Sequence, residues 1–198
     1  MAVKDRSALN EAALLVIDVQ DSFKAGPRWA QRSTPGFERN ISRLIDGFRA
    51  AGRPVIYFLH SDNDEHFSVD SPSYRLMDFL EPRAGEPILH KTTRNCFTST
   101  NLLPTLMQLG VRRVVVTGIQ TEQCCETTTR VGADLGFDVD FVTEATMTFP
   151  IPRNADGSGG ALSTDAIIER TEYALRRRFA RIATVDEILS DLKTPAAV

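Results

Sequence analysis

The sequence predicts an α/β fold, a three-layer αβα sandwich with a mainly parallel central sheet, and three observations predict it. Short apolar runs such as Ala12–Ile17 and Arg113–Thr117 lack inside–outside alternation, which is the pattern of strands buried on both faces. Between such runs lie segments with apolar residues at helical spacing, closed by glycine. The two kinds of segment alternate along the chain, and right-handed crossovers then make the sheet parallel with helices on both faces.

With 198 residues the chain is long enough for one core and short for two, so a single domain over 1–198 is expected. A hydrophobic content of 42% with 25% charged residues is ordinary for a globular protein, and a net charge of −3 leaves no basic surface for nucleic acid. No segment approaches the roughly 18 apolar residues of a membrane span, and Met1–Ser7 lacks the apolar stretch of a secretory leader. A cytoplasmic protein is expected. Three cysteines, two of them adjacent at Cys124 and Cys125, form neither a disulfide framework nor a C-x-x-C pair, so the thiols are read as reduced.

The elements follow in order. Ala12–Ile17 is a strand ending on Asp18. A Gly-Pro loop through Trp29 and Pro35 leads to a helix over 37–51, where Ile41, Leu44, Ile45 and Phe48 fall at i, i+3, i+4 and i+7 before Gly52. Residues 54–59 form the second strand. The polar stretch 61–73 after it is longer than a crossover needs, as in loops that cover a site. Pro87–His90 is a short third strand delivering Lys91. A helix over 102–109 accepts Pro104 in its first turn and stops at Gly110.

Strand four, 113–117, gives way at Gly118 to a helix over 122–135, with Thr121 as N-cap, Glu122 in the first turn and Gly136 at the end. Residues 137–142 are strand five, 150–160 a flexible Pro- and Gly-containing loop, 164–179 the last long helix, and 180–185 a final strand. In open parallel sheets ligands bind beyond the C-terminal strand ends. Asp18, Lys91 and Cys124 all follow such ends, so chain separation does not keep them apart. Cys124 also falls in the first turn of its predicted helix, where orphan amides and the macrodipole favour a thiolate.

Three segments together resemble the isochorismatase-like cysteine hydrolases, the superfamily of nicotinamidases and N-carbamoylsarcosine amidohydrolase. They are Leu15-Val-Ile-Asp18-Val-Gln-Asp-Ser-Phe23, Lys91-Thr-Thr-Arg-Asn-Cys-Phe97-Thr-Ser-Thr100-Asn-Leu102 and Thr117-Gly-Ile-Gln-Thr121-Glu-Gln-Cys124-Cys-Glu-Thr-Thr128. Gly136-Phe-Asp-Val, Glu144-Ala145 and Arg178-Phe-Ala-Arg-Ile extend the likeness over roughly residues 12 to 190. Glu144 stands where that family usually has Asp.

The resemblance implies an isochorismatase-like fold with Asp18 as general base, Lys91 as its electrostatic partner and Cys124 as nucleophile. It implies a non-proline cis peptide at Ile119–Gln120 and an oxyanion hole from the amides of Gln120 and Cys124. Cys125 and Cys96 are read as packing residues. The expected activity is hydrolysis of a C–N bond in a small amide, urea or carbamoyl compound through a thioester, with no cofactor. A vinyl-ether hydrolase of the isochorismatase type and a catalytically silent binding protein are the alternatives. The resemblance further implies a homodimer or homotetramer.

Phe23, Trp29 and Phe149 are candidate pocket residues, and the loops 24–35, 60–80 and 144–162 are expected to read the substrate. Nicotinamidases of the family carry an Asp-x-His pair after strand two plus a second His. Here His60, Asp62, Asp64 and His66 fit that pattern loosely, with Asp64 and His66 displaced from the strand end, so the segment is read as a solvated acidic loop and no metal is expected.

Overall fold

The structure is a computed structural model that describes residues 11–193, so Met1–Ser7 and the outer ends of the expected domain lie outside the described residues. In chain order its elements are β1 (Ala12–Ile17), α1 (Phe37–Ala50), β2 (Val55–His60), β3 (Ile88–Lys91), α2 (Leu102–Gln108), β4 (Arg113–Ile119), α3 (Glu126–Asp134), β5 (Asp138–Met147), β6 (Ile151–Pro152), β7 (Ala161–Leu162), α4 (Thr164–Leu175), β8 (Arg181–Ile182) and α5 (Val185–Lys193).

The six-stranded sheet has the order β3-β2-β1-β4-β5-β8, and its pairings are all parallel. The α/β expectation holds. Two-residue alternation splits the central strand β1 between two cores. Ala12, Leu14 and Val16 pack with α1 and α5, whereas Ala13, Leu15 and Ile17 pack with Leu102, Leu106 and Cys125 on the other face. Every residue of β1 is buried, which explains the absence of polar alternation in its sequence.

The chain order reverses between β1 and β4, so the crevice beyond their C-terminal ends is the sheet's natural ligand site. The two strands approach closely there. Ile17 pairs with Gly118, whose φ is +120°, and a Cβ at that position would lie 2.0 Å from the Ile17 carbonyl oxygen. Only glycine fits the contact.

Several expected boundaries move. The final strand shrinks to Arg181–Ile182, and α5 follows where no helix was expected. The cause is a capping box: the Glu187 amide donates to Thr184 Oγ1 at 3.1 Å, and the Thr184 amide donates to Glu187 Oε2 at 2.8 Å. Val185, Ile188, Leu189 and Leu192 then turn one face toward α1, where Gly47 leaves room for Leu189. Helix α4 stops at Leu175 rather than 179, because the amides of Phe179 and Ala180 both return to the Leu175 carbonyl and Arg177 takes a φ of +67°. Strand β5 runs to Met147, past the expected 142, with a register shift opposite Val116 and Gly118. The loop after it is closed at its base by the antiparallel pair β6 and β7.

The helix expected over 122–135 begins instead with a π-turn, Thr121–Cys125, before α3. Thr121 does not cap it. Its hydroxyl donates to Thr146 Oγ1 at 2.8 Å, and the Gln120 carbonyl takes the amides of Gln123 and Cys125, both at 3.2 Å.

Candidate active site

Four strand ends supply the site. Asp18 follows β1 and turns out of the strand with a φ of +53°, a left-handed conformation that aspartate tolerates better than most residues. His60 ends β2 and pairs in register with Lys91, which ends β3. Cys124 lies in the π-turn after β4. Two strand spacings of about 4.8 Å separate β3 from β1, and only a long side chain bridges them. Lys91 does so: its Nζ stands 2.8 Å from Asp18 Oδ2 and 3.5 Å from Cys124 Sγ.

The ammonium is held from every side. It donates to the carbonyls of Thr93 at 3.0 Å and Arg94 at 3.3 Å, in the loop that folds back after β3, and approaches His60 Nδ1 at 3.3 Å. Asp18 and Lys91 are 0% and 1% exposed. Apart from that ammonium and the Cys124 thiol, no donor among the described residues satisfies the Asp18 oxygens.

Burial is the largest single influence on Lys91 and disfavours its ammonium, but the opposing attractions, led by the Asp18 carboxylate, together leave the lysine's pKa above its ordinary value. For Cys124 the balance runs the other way. Burial and then the Asp18 charge push the thiol well above its ordinary pKa, and Lys91 offsets this only in part. Burial and Asp18 thus favour the neutral thiol. The helix start expected to favour a thiolate is a π-turn rather than an α-turn, and burial with the Asp18 charge acts against the ionised form there.

Ile119–Gln120 is a cis peptide, leading directly into the π-turn. Cys125 is fully buried behind Cys124, and Cys96 is buried against Thr128 with its thiol pushed up to about 12 by burial. Glu144 does not face the cavity. Its Oε1 accepts the Val185 amide at 2.5 Å at the start of α5, and its carbonyl accepts Asn40 Nδ2 at 2.7 Å, so its role is to join helices.

A cavity of about 370 Å³ opens over Cys124, walled by Phe23, Arg28, His60, Phe67, Arg94, Gln120 and Gln123 among others. Of the aromatic residues nominated from the sequence, Phe23 lines it, in an edge contact with Phe67 at 4.9 Å. Trp29 and Phe149 do not. Phe149 is 0% exposed and joins the core beneath Arg28, and Trp29 packs beside it at 6.4 Å. Aromatics near a strand end satisfied the core first.

Sequence reading weighed His60 only as a metal ligand and did not nominate Arg28, Arg94 or Gln20 as site residues. The available signal was position, since His60 closes a strand in register with Lys91 and Gln20 lies two residues past Asp18. The Gln20 amide fixes the main chain of His60, accepting its amide at 2.7 Å and donating to its carbonyl at 3.0 Å. Burial first, then Lys91, lowers the His60 pKa, which leaves a neutral ring. A neutral ring has one lone pair, which serves Lys91 at Nδ1 or Arg94 at Nε2 (2.5 Å), not both.

These contacts also bear on metal binding. A guanidinium occupies the approach to His60 Nε2, Asp62 Oδ1 accepts the Asp64 amide, and Asp64 Oδ1 accepts the His66 amide. Among the described residues no group of three or more His, Cys, Asp or Glu converges on one point. The donor set does not fit a metal ion. No helix among the described residues is long and apolar enough to cross a membrane.

Comparison with known proteins bears on the same residues. The sequence model of the isochorismatase domain matches residues 12–185. The uncharacterised isochorismatase family protein YrdC of Bacillus subtilis is 32% identical over 181 residues, covering 90% of this chain and 95% of that protein. Nicotinamidase 3 of Arabidopsis thaliana is 30% identical over 153 residues, covering 70% of this chain and 74% of its own. A crystal structure of an isochorismatase-family protein from Chromobacterium violaceum superposes with a TM-score of 0.85 at 28% identity, over 97% of this chain and 98% of that one.

Proposed function

The chain belongs to the isochorismatase family, and we propose that within it this protein is a cysteine hydrolase cleaving a C–N bond of a small amide, urea or carbamoyl compound. One observation carries the reading. A buried ammonium lies between a carboxylate at 2.8 Å and a thiol at 3.5 Å, and that thiol opens onto a small-molecule cavity. The amidase relative supports the same class of bond.

A neutral thiol beside a carboxylate calls for proton removal as attack begins. Asp18 takes the proton from Cys124 Sγ, and the sulfur adds to the substrate carbonyl carbon. Lys91, close to both atoms, stabilises the negative charge as it passes from carboxylate to sulfur. The carbonyl oxygen becomes an oxyanion, received by the backbone amides of Gln120 and Cys124. Collapse breaks the C–N bond, with Asp18 returning the proton to the departing nitrogen, so ammonia or an amine leaves and a thioester remains. Water then attacks that thioester with Asp18 as base, releasing the acid and restoring the thiol. The proton balance closes on Asp18 in each half.

The reading takes a small molecule as substrate and a homodimer or homotetramer as the working form. Ammonia release from a panel of small amides, ureas and carbamoyl compounds tests it, together with mass spectrometry of an acyl adduct on Cys124. Undiminished turnover by Cys124→Ala would sink the nucleophile assignment.

A further inference from the structure

Helix α4 turns one face to the support of the catalytic turn and the other to solvent. Inward, Ile167, Thr171 and Leu175 are buried, and Thr171 Oγ1 donates to Glu126 Oε2 at 3.3 Å where α3 begins, just after Cys124 and Cys125. Arg130 and Arg170 bind the same carboxylate. Outward, Asp165, Glu169, Tyr173 and Arg176 fall at i, i+4, i+8 and i+11, a single stripe of exposed side chains along the helix. Tyr173 is 77% exposed, the most exposed large hydrophobic side chain among the described residues.

The stripe is ordered by charge. Its N-terminal half is acidic and its C-terminal end basic, with the exposed Arg177 and Arg178 following Arg176 where the chain leaves the helix. Asp165, Glu169, Arg177 and Arg178 join no ion pair among the described residues. Arg176 meets only Glu172, one turn back on the same helix, at 3.3 Å, an exposed contact of small energy. The helix macrodipole favours acid at the start and base at the end. It gives no reason for an aromatic ring to stand in water between them.

We infer that the outer face of α4 is a self-complementary interface, on which a second copy of this chain packs its own α4 antiparallel across a two-fold axis near Tyr173. This rests on the homo-oligomeric working form proposed above and names its surface. A parallel arrangement would set acid on acid and base on base. The antiparallel one sets Glu169 of each copy against Arg176 and Arg177 of the other, and a two-fold interface makes every such contact twice. At about 1.5 Å of rise per residue, Glu169 and Arg176 lie about 5 Å along the helix to either side of the axis, which leaves Tyr173 close to its own copy. Buried tyrosine rings anchor interfaces, and rim charges fix their orientation.

The β6–β7 arm extends the face. It leads into α4 through the capping residue Ser163, and its cross-strand pair Ile151 and Leu162 stands 38% and 49% exposed. Opposed residues of a two-stranded ribbon share one side of it, so the two make a small apolar patch. The arm lies at the acidic end of α4, and the antiparallel arrangement brings it to the basic end of the second copy, where arginine stems offer aliphatic surface. A stable interface needs roughly 800 Å² on each partner, more than one helix stripe offers, and the arm supplies further area.

The test is sedimentation velocity on the full chain and on two charge reversals at exposed positions, Glu169→Arg and Arg176→Glu. The unaltered protein is expected to sediment as a dimer or tetramer, with association weakening as sodium chloride is raised. Either reversal alone faces like charges at both copies of the contact, and is expected to raise the dissociation constant roughly a hundredfold and halve the particle mass. Mixing the two reversed proteins in equal amounts restores the mass, since each offers the charge the other lacks, and a chain that had merely misfolded would not be restored. Tyr173→Ala weakens association about tenfold or more. A monomer throughout overturns the oligomeric reading together with this surface. An oligomer whose mass survives both reversals keeps that reading and overturns the surface alone, as do a mixture that fails to reassemble and undiminished association in Tyr173→Ala.

Discussion

Lys91 Nζ stands 2.8 Å from Asp18 Oδ2 with both side chains shut away from solvent, an ion pair formed across the intervening strand β2. A buried pair of this kind contributes little net stability over an apolar pair, but removing one partner strands a charge. Asp18→Asn and Lys91→Met should each cost about 3–5 kcal/mol. The double variant is expected to recover much of that loss in urea denaturation, while ammonia release stays absent in all three. Strictly additive losses would show that the pair is not coupled.

Cys124 is the cysteine that opens onto the cavity, and its thiol is held above its ordinary pKa by burial and Asp18. In the free protein, iodoacetamide should therefore modify Cys124 ahead of Cys96 and Cys125, slowly at neutral pH and faster as the pH climbs beyond the usual thiol value. Peptide mapping at a series of pH values measures it. A rate already at its plateau by pH 7 would mean a resting thiolate.

His60 titrates below its ordinary pKa because burial and Lys91 oppose its charged form, so between the two values the unfolded chain binds a proton that the folded protein refuses. Stability must then rise with pH across that window and fall as the pH drops below about 6.5. NMR titration should place His60 below the ordinary histidine value, and His60→Gln should remove this part of the acid sensitivity. An unchanged pH–stability curve in the variant would contradict the assignment.

Gly118→Ala puts a methyl group 2.0 Å from the Ile17 carbonyl at a φ of +120°. Backbone cannot yield there without moving Asp18, the next residue, so a loss of about 3 kcal/mol or more is expected, with activity falling as well. Thermal unfolding and an ammonia assay measure the two effects. A loss below about 1 kcal/mol would mean that the strands separate freely.

Much of this protein is legible in the order of its residues. The uninterrupted apolar run Ala12–Ile17 marks a central strand, and Asp18, Lys91 and Cys124 are found where a parallel sheet exposes its ends. Less legible were the elements decided by local exchange of hydrogen bonds. The Thr184–Glu187 capping box ends the expected strand early and starts α5, and the Gln120 carbonyl draws two amides into a π-turn. Both patterns were present as letters; neither competed well against hydrophobic periodicity.

By itself the sequence determined the α/β class, the residues that meet at the strand ends and the kind of chemistry a carboxylate, an amine and a thiol support together. Tertiary structure alone decided the surroundings that raise the Cys124 pKa, the removal of Trp29 and Phe149 from the cavity wall, and the placing of Arg28 in it. Pairing preferences and periodicity act along the chain, so they are written in it. Desolvation and charge proximity depend on which groups are brought together in space, and that is settled only once the chain has closed around them.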